Sequence, residues 1–338
     1  MLHKFARFLA ACTVLLILAG SLVTSNDAGL SVPDWPTSYG WNMFTFPPSM
    51  WVANILYEHG HRLIASSVGF LTIIMAAWLW FAEPRRWLRW FGVAALLAVI
   101  AQGVLGGLTV LFFLPAAIST AHAGLAEIFF CMTVAIALFT SPRWIAGDDV
   151  VGADPHVRPI GVDDTMLRAV ATGTTILIFT QILIGATMRH TGAGLAIPDF
   201  PWMFGHVIPD HWSSAIAIHF THRVGAVLVT LAVLATSAHV YFHHGGRREL
   251  TRPATLIIAL VAVQVTLGAL TVLTQRNVWI NSVHVVVGAL VLATSLVVSL
   301  RAWQVSIAER GLRTAESAIP ARPSIRNPQS AIRTEGRA

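Results

Sequence analysis

Four histidines and one glutamate in this 338-residue chain have the type and spacing that chemistry requires. His61 and His122 fall in the first half, His222 and His284 in the second, each near the start of an otherwise apolar run. Imidazole can ligate a metal, accept a proton or pass one on. Ionisable groups inside apolar runs are costly and mark functional positions. One such histidine alone reads as a hydrogen-bonded core residue; four in matched pairs point away from that reading. Glu58-x-x-His61 in the first half corresponds to His219-x-x-His222 in the second, and separation by three puts both members of a pair on one helix face. Glu58 has two readings. It is an acid favoured by a helix N-terminus, or a carboxylate beside one site and not the other, making the first reactive and the second an electron-transfer centre. Glu127, opposite Ala289 in the other half, is a weaker candidate. Gln102 and Gln264 occur in both halves and read as interhelical hydrogen-bond partners. His206, His211, His243 and His244 fall between apolar runs and read as solvated.

The elements that must position these residues follow from composition. The chain is 55% hydrophobic and 11% charged, where a soluble domain carries roughly 25% charge. Eight uncharged runs, roughly 8–24, 63–82, 90–114, 115–140, 169–188, 224–242, 254–274 and 277–300, have about the length of a bilayer span. The spacing predicts an all-α polytopic membrane protein, since helices satisfy their own backbone in lipid. The net charge of +6 is a topology signal and excludes a nucleic-acid partner: eighteen Lys and Arg fall in the N-terminus, alternate loops and the C-terminal tail, and four (Arg62, Arg189, Arg223, Arg276) on the opposite side. The positive-inside rule then places both termini in the cytoplasm. Hydrophobicity begins by residue 8 with no transit peptide before it, so a bacterial plasma membrane is expected. The two cysteines, Cys12 and Cys131, lie inside spans and imply no disulfide.

The chain is written twice. AGLSVPDWP at 28–36 returns as AGLAIPDFP at 193–201, and QGVLGGLTVL at 102–111 as QVTLGALTVL at 264–273. His61-Arg62 matches His222-Arg223, and His122 matches His284, at nearly the same offset. Eight transmembrane helices are therefore expected as two parallel four-helix repeats, with a pseudo-twofold axis along the membrane normal. The expected divisions are 1–142 for the first repeat, 143–165 for a cytoplasmic linker, 166–304 for the second repeat and 305–338 for a disordered basic tail. The AGL…P segments fall in two equivalent outer loops. Turn chemistry and interfacial aromatics explain most of their composition; Asp34 and Asp199 leave open whether the loops also cap something within the outer leaflet.

Every even-numbered span runs inward from the outer face, so all four histidines lie at similar depth. Zinc usually takes three or four protein ligands, and each half offers few others at that level. Haem iron with two axial imidazoles needs one histidine from each of two facing helices, and the glycines and alanines nearby would admit a flat macrocycle. Spacing alone therefore suggests a bis-histidine haem in each half. Arg62 and Arg223 could pair with its propionates, or simply snorkel to headgroups.

With TSNDAGLSVPDWPTSYG after the first span, EHGHR opening the second, AHAG in the fourth, THR in the sixth and VHVVVG in the eighth, the chain resembles the haem A synthase family over about residues 8–303. The resemblance implies an oxidoreductase acting on a methyl carbon, taking haem O to haem A through a hydroxymethyl intermediate for use in terminal oxidases. It implies that His222 and His284 hold a structural haem b, that His61 and His122 hold the substrate haem, and that Glu58 is the catalytic carboxylate. Haem O synthase, an unidentified electron acceptor, membrane lipid and possible further copies of the chain are the expected partners. Some members carry a cysteine pair in the first outer loop; residues 25–57 here contain none. The rival reading is a non-catalytic di-haem b cytochrome exchanging electrons with quinone, against which the equal depth of the histidines counts. A transporter ranks third, because no broken helices are visible.

Overall fold

The computed structural model describes residues 1–146 and 164–318. Eight helices long and apolar enough to cross a bilayer occur among the described residues. They are α1 (Leu2–Ser25), α2 (Asn54–Ala82), α3 (Arg86–Leu111), α4 (Ala116–Phe139), α5 (Thr165–His190), α6 (Ser214–His244), α7 (Arg248–Leu273) and α8 (Val278–Ala318). A helical turn, Pro142–Ala146, follows α4. No strand occurs among the described residues; the architecture is the expected all-α polytopic class.

Six of the eight helices begin earlier than the apolar runs. α2 starts at Asn54 and α6 at Ser214, because a helix continues through polar residues wherever its backbone bonds can form. Glu58, His61, His219 and His222 thereby become helix-interior residues. At the other end, the chain expected to lose structure from 305 is helical to Ala318. Ala, Leu, Glu and Arg there are good helix formers, and extending an existing helix needs no new nucleus. Most of the linker expected over 143–165, and the tail beyond Ala318, lie outside the described residues.

Within the first half, α1–α2, α2–α3, α3–α4 and α4–α1 pack as a closed four-helix ring; α5, α6, α7 and α8 close in the same way. The halves meet through α1 on α8, α4 on α5 and α4 on α8. Apolar side chains gain little by leaving lipid for a helix interface, so close packing and polar contacts hold these helices together. Thr174 and Thr236 hydroxyls meet at 2.8 Å between α5 and α6, and Thr175 and Ser295 at 2.8 Å between α5 and α8. Near the histidine end, Arg189 donates to the Ser21 carbonyl and to Ser25 Oγ at 2.8 Å each, while Ser282 donates to Ser25 at 2.9 Å. That cluster ties α5 and α8 to α1.

Gly92 shows the packing constraint most simply. A Cβ there would lie 2.7 Å from Leu79 Cδ1 and 3.6 Å from the Ala76 backbone, whereas one on lipid-facing Gly103 meets nothing within 4 Å. Overpacking costs about 1–3 kcal/mol. Gly92→Val should lower the thermal midpoint of the detergent-solubilised protein by several degrees, and Gly103→Val should leave it unchanged.

Candidate functional site

The four histidines come together as two pairs at one end of the bundle. His61 on α2 and His122 on α4 are close enough to interact electrostatically, as are His222 on α6 and His284 on α8. Within each ring of four helices, the paired residues come from diagonal members. Each lies six to eight residues into its helix, about 9–12 Å along the axis at about 1.5 Å per residue.

Each imidazole rests on a glycine of the preceding helix. A Cβ on Gly20 would lie 2.9 Å from His61 Cε1, on Gly106 3.0 Å from His122 Cε1, on Gly185 2.8 Å from His222 Cε1 and on Gly268 3.1 Å from His284 Cε1. Glutamines hold three of the rings. Gln102 Nε2 donates to the His122 carbonyl at 2.9 Å, Gln181 Nε2 to the His222 carbonyl at 2.7 Å, and Gln264 Nε2 lies 3.5 Å from His284 Nε2. The expected interhelical role of Gln102 and Gln264 thus has histidines as its partners. Nδ1 of His61, His122 and His284 is buried without a partner, an arrangement that is rare unless a ligand or water completes it.

Glu58 faces the loop between α1 and α2. Its Oε2 accepts the Val32 amide at 2.8 Å and its Oε1 accepts Arg62 at 2.6 Å. Arg62 also donates to the carbonyls of Val32, Asp34 and Thr37. The second half repeats the arrangement with different chemistry. His219 Nδ1 accepts the Ile197 amide at 3.2 Å and its Nε2 accepts Arg223 Nε at 3.1 Å, while Arg223 donates to the carbonyls of Ile197, Asp199 and Trp202. The Glu58/His219 difference that singled out Glu58 is therefore also a difference between two side chains anchoring equivalent loops. Arg62 and Arg223 do not stand free; their donors bind the loop backbone.

Asp34 and Asp199 owe their place to the turns they close. Tyr39-Gly40 (φ 51° and 76°) and Phe204-Gly205 (φ 57° and 78°) occupy the left-handed region in pairs, as tight reversals of the I′ kind require. Asp34 accepts the Tyr39 and Gly40 amides at 2.7 and 2.8 Å; Asp199 accepts those of Phe204 and Gly205 at 2.8 and 2.9 Å. Burial alone would raise both carboxyls, but these amides, joined at Asp34 by the Thr37 hydroxyl, outweigh it and hold them below the ordinary aspartate range.

Sequence reasoning missed several residues here. His59 is fully buried, bonded to Ser38 Oγ at 3.2 Å, with the Phe46 and Trp51 rings each 4.8 Å away. Trp35 packs its ring against Gly107, next to the glycine under His122. His190 is close enough to His122, and Arg189 to His284, for electrostatic contact. Only spatial neighbours give these residues meaning, and a single sequence does not display them. Glu127 is buried on α4 with Oε2 unpartnered. His206 and His211 are exposed as expected, but His244 is not solvated. It is buried at the end of α6 and bonded to Asp164 at 2.7 Å, because α6 runs on to its position.

Two diagonal imidazole pairs with bare backbone beneath each ring fit a flat, metal-centred group taking one ligand from each side. Among the described residues, no third His, Cys, Asp or Glu joins either pair at metal-ligand distance, which disfavours a zinc centre. The class defined is a multi-pass membrane protein with two histidine pairs at one end. More specifically, the chain belongs to the family of cytochrome oxidase assembly proteins, which matches it over residues 3–296. It is 29% identical to a haem A synthase of Shouchella clausii over 281 residues, 81% of this chain and 89% of the relative. It is 30% identical to one of Symbiobacterium thermophilum, covering 81% and 86%, and 28% identical to one of Halalkalibacterium halodurans, covering 87% and 95%.

Because the native Asp34 carboxyl is held low, its contribution to the loop is present above the unfolded value of about 3.9 and is lost as pH falls through the folded value. Hydrogen exchange at Tyr39 and Gly40, corrected for intrinsic rates, should show protection at neutral pH that disappears only below about pH 4. Asp34→Asn turns an amide NH2 toward a backbone donor, so protection should fall about tenfold or more at neutral pH, in line with about 1.5–3 kcal/mol for hydrogen bonds to charged groups.

Proposed function

We propose that this protein is a haem A synthase, an oxidoreductase that takes haem O to haem A by two successive two-electron oxidations of one ring methyl, through a hydroxymethyl intermediate, with the electrons passing to an external acceptor and water supplying the formyl oxygen. The observation that carries this reading is the pairing of four buried imidazoles over glycines in a chain of the oxidase-assembly family. In this reading His222 and His284 hold a resident haem b, and His61 and His122 hold the haem O substrate. The resident haem supplies a one-electron redox centre when bound. The side chains orient and shield. Trp35 and the loop clamped by Arg62 cover the first site, and Gln181 and Gln264 fix the rings of the second. Removing electrons from a methyl carbon develops positive charge, which a preorganised carboxylate stabilises; Glu58 is the acid one turn from His61. The isoprenoid tail of the substrate would lie between helices toward lipid. The cytoplasmic placement of both termini in a bacterial plasma membrane, haem O synthase as supplier and self-association belong to the same proposal.

Because Glu58 also anchors a loop, its catalytic role needs a variant that preserves the anchor. Glu58→His installs the residue that does this work in the second half. In cells supplying haem O, both Glu58→His and Glu58→Gln should make about 10²–10³-fold less haem A per folded protein. Wild-type haem A from Glu58→His would reduce Glu58 to a loop anchor.

For the resident haem, optical spectra of purified His222→Ala and His284→Ala should show loss of tightly bound haem b. Undiminished haem b in both variants would remove the assignment. Gly185→Val, which places bulk against His222 and leaves every candidate ligand intact, should weaken haem retention similarly.

A further inference from the structure

The end of the bundle opposite the four histidines carries a second set of metal-ligating side chains. Asp164 caps α5, its Oδ1 accepting the Leu167 amide at 2.7 Å. Its Oδ2 accepts from His239 Nε2 at 2.8 Å and from His244 Nε2 at 2.7 Å. The three ligand atoms all lie within 4.8 Å of one another. His244 is buried, while the side chains of His239 and Asp164 are each 18% exposed. The His243 ring stacks on His239 at 4.3 Å, and its Nδ1 lies 3.1 Å from the His239 carbonyl, which limits the freedom of the His239 ring.

Two imidazoles directed at one carboxylate oxygen, the other oxygen being fixed by a backbone amide, form a convergent N2O donor set. The carboxylate oxygen left for a ligand is already oriented by the cap, as second-shell bonding orients metal ligands elsewhere. We propose that Asp164, His239 and His244 form a binding site for a borderline divalent transition-metal ion, of which Zn²⁺ is the representative, with a remaining position open to water. Two nitrogen donors select against Mg²⁺ and Ca²⁺, which take oxygen ligands, and suit the imidazole-binding ions. The site joins the start of α5 to the end of α6. These are the helices whose far ends bring Gly185 against His222, so a bound ion would clamp that helix pair.

The test uses full-length protein with its native haem content, purified in detergent by a tag without histidines, stripped with a chelator and titrated with Zn²⁺ against a chromogenic competitor. Bound zinc is read by elemental analysis after gel filtration. One zinc per chain, bound at least tenfold more weakly by Asp164→Asn and by His244→Gln but unchanged in the surface variant His211→Gln, supports the site. Zinc should also raise the thermal midpoint of the wild type and not that of Asp164→Asn. Should one variant fail to elute as folded protein, His239→Gln replaces it. No retained zinc, equal affinity in the folded variants, or displacement by millimolar Mg²⁺ would overturn the proposal.

Discussion

A histidine buried in a helix bundle within lipid needs room for its ring and partners for its polar atoms. Here the room comes from glycine. All four imidazoles lie on bare backbone of the preceding helix, at Gly20, Gly106, Gly185 and Gly268. A side chain at any of them would force the ring away or the helices apart. This contact fixes how closely α1 approaches α2, α3 approaches α4, α5 approaches α6 and α7 approaches α8. The glutamines then work at short range. Gln181 reaches both the ring and the carbonyl of His222 because Gly225, one turn on, leaves it space. Small residues set the spacing, and hydrogen bonds set the ring orientations.

The loops after α1 and α5 depend on those helices in turn. An arginine one residue after a histidine cannot point toward the same partner, so Arg62 and Arg223 turn outward and collect three loop carbonyls each. A guanidinium has donors left after these carbonyls, and Glu58 supplies a charged acceptor at 2.6 Å where His219 supplies a neutral one at 3.1 Å. Removing one member of a buried pair is costly, about 3–5 kcal/mol in measured cases. That gives Glu58 a structural reason to be acidic, whatever chemistry it also performs.

Much of this was legible in the sequence. Eight apolar runs gave eight helices because backbone bonding in lipid leaves few alternatives, and the repeated His-Arg pair together with the matching offset of His122 and His284 picked out the four residues that pair. Helix ends were misplaced where Glu58, His61 and His219 interrupt the apolar pattern, since hydropathy marks the bilayer and not the end of hydrogen bonding. The Asp34 and Asp199 turns were half legible: proline and glycine announced reversals, but the partners lie five and six residues away in left-handed backbone. The glycine cradles and the Asp164–His244 contact, 80 residues apart in sequence, were not legible. Nothing in an apolar helix pattern says which face meets which neighbour.

The differences between the halves carry the last step. At the repeat offset shared by Gly20 and Gly185, Gln181 corresponds to Leu16. His222 therefore has an amide donor at 3.0 Å on Nδ1, while the same atom of His61 is buried and unpartnered. A ring held by a fixed donor keeps one orientation through repeated cycles, which suits a permanently bound group. A ring held only by packing against Gly20 can turn at lower cost, which suits a group that must enter as substrate and leave as product. Trp35 against Gly107 adds to this contrast, for the second half has Ala269 at that position and no room for an indole so placed. In the first half a loop indole thus packs beside the glycine under His122, and in the second an amide holds the His222 ring from within the bundle. The division of labour proposed for the two histidine pairs follows the same line.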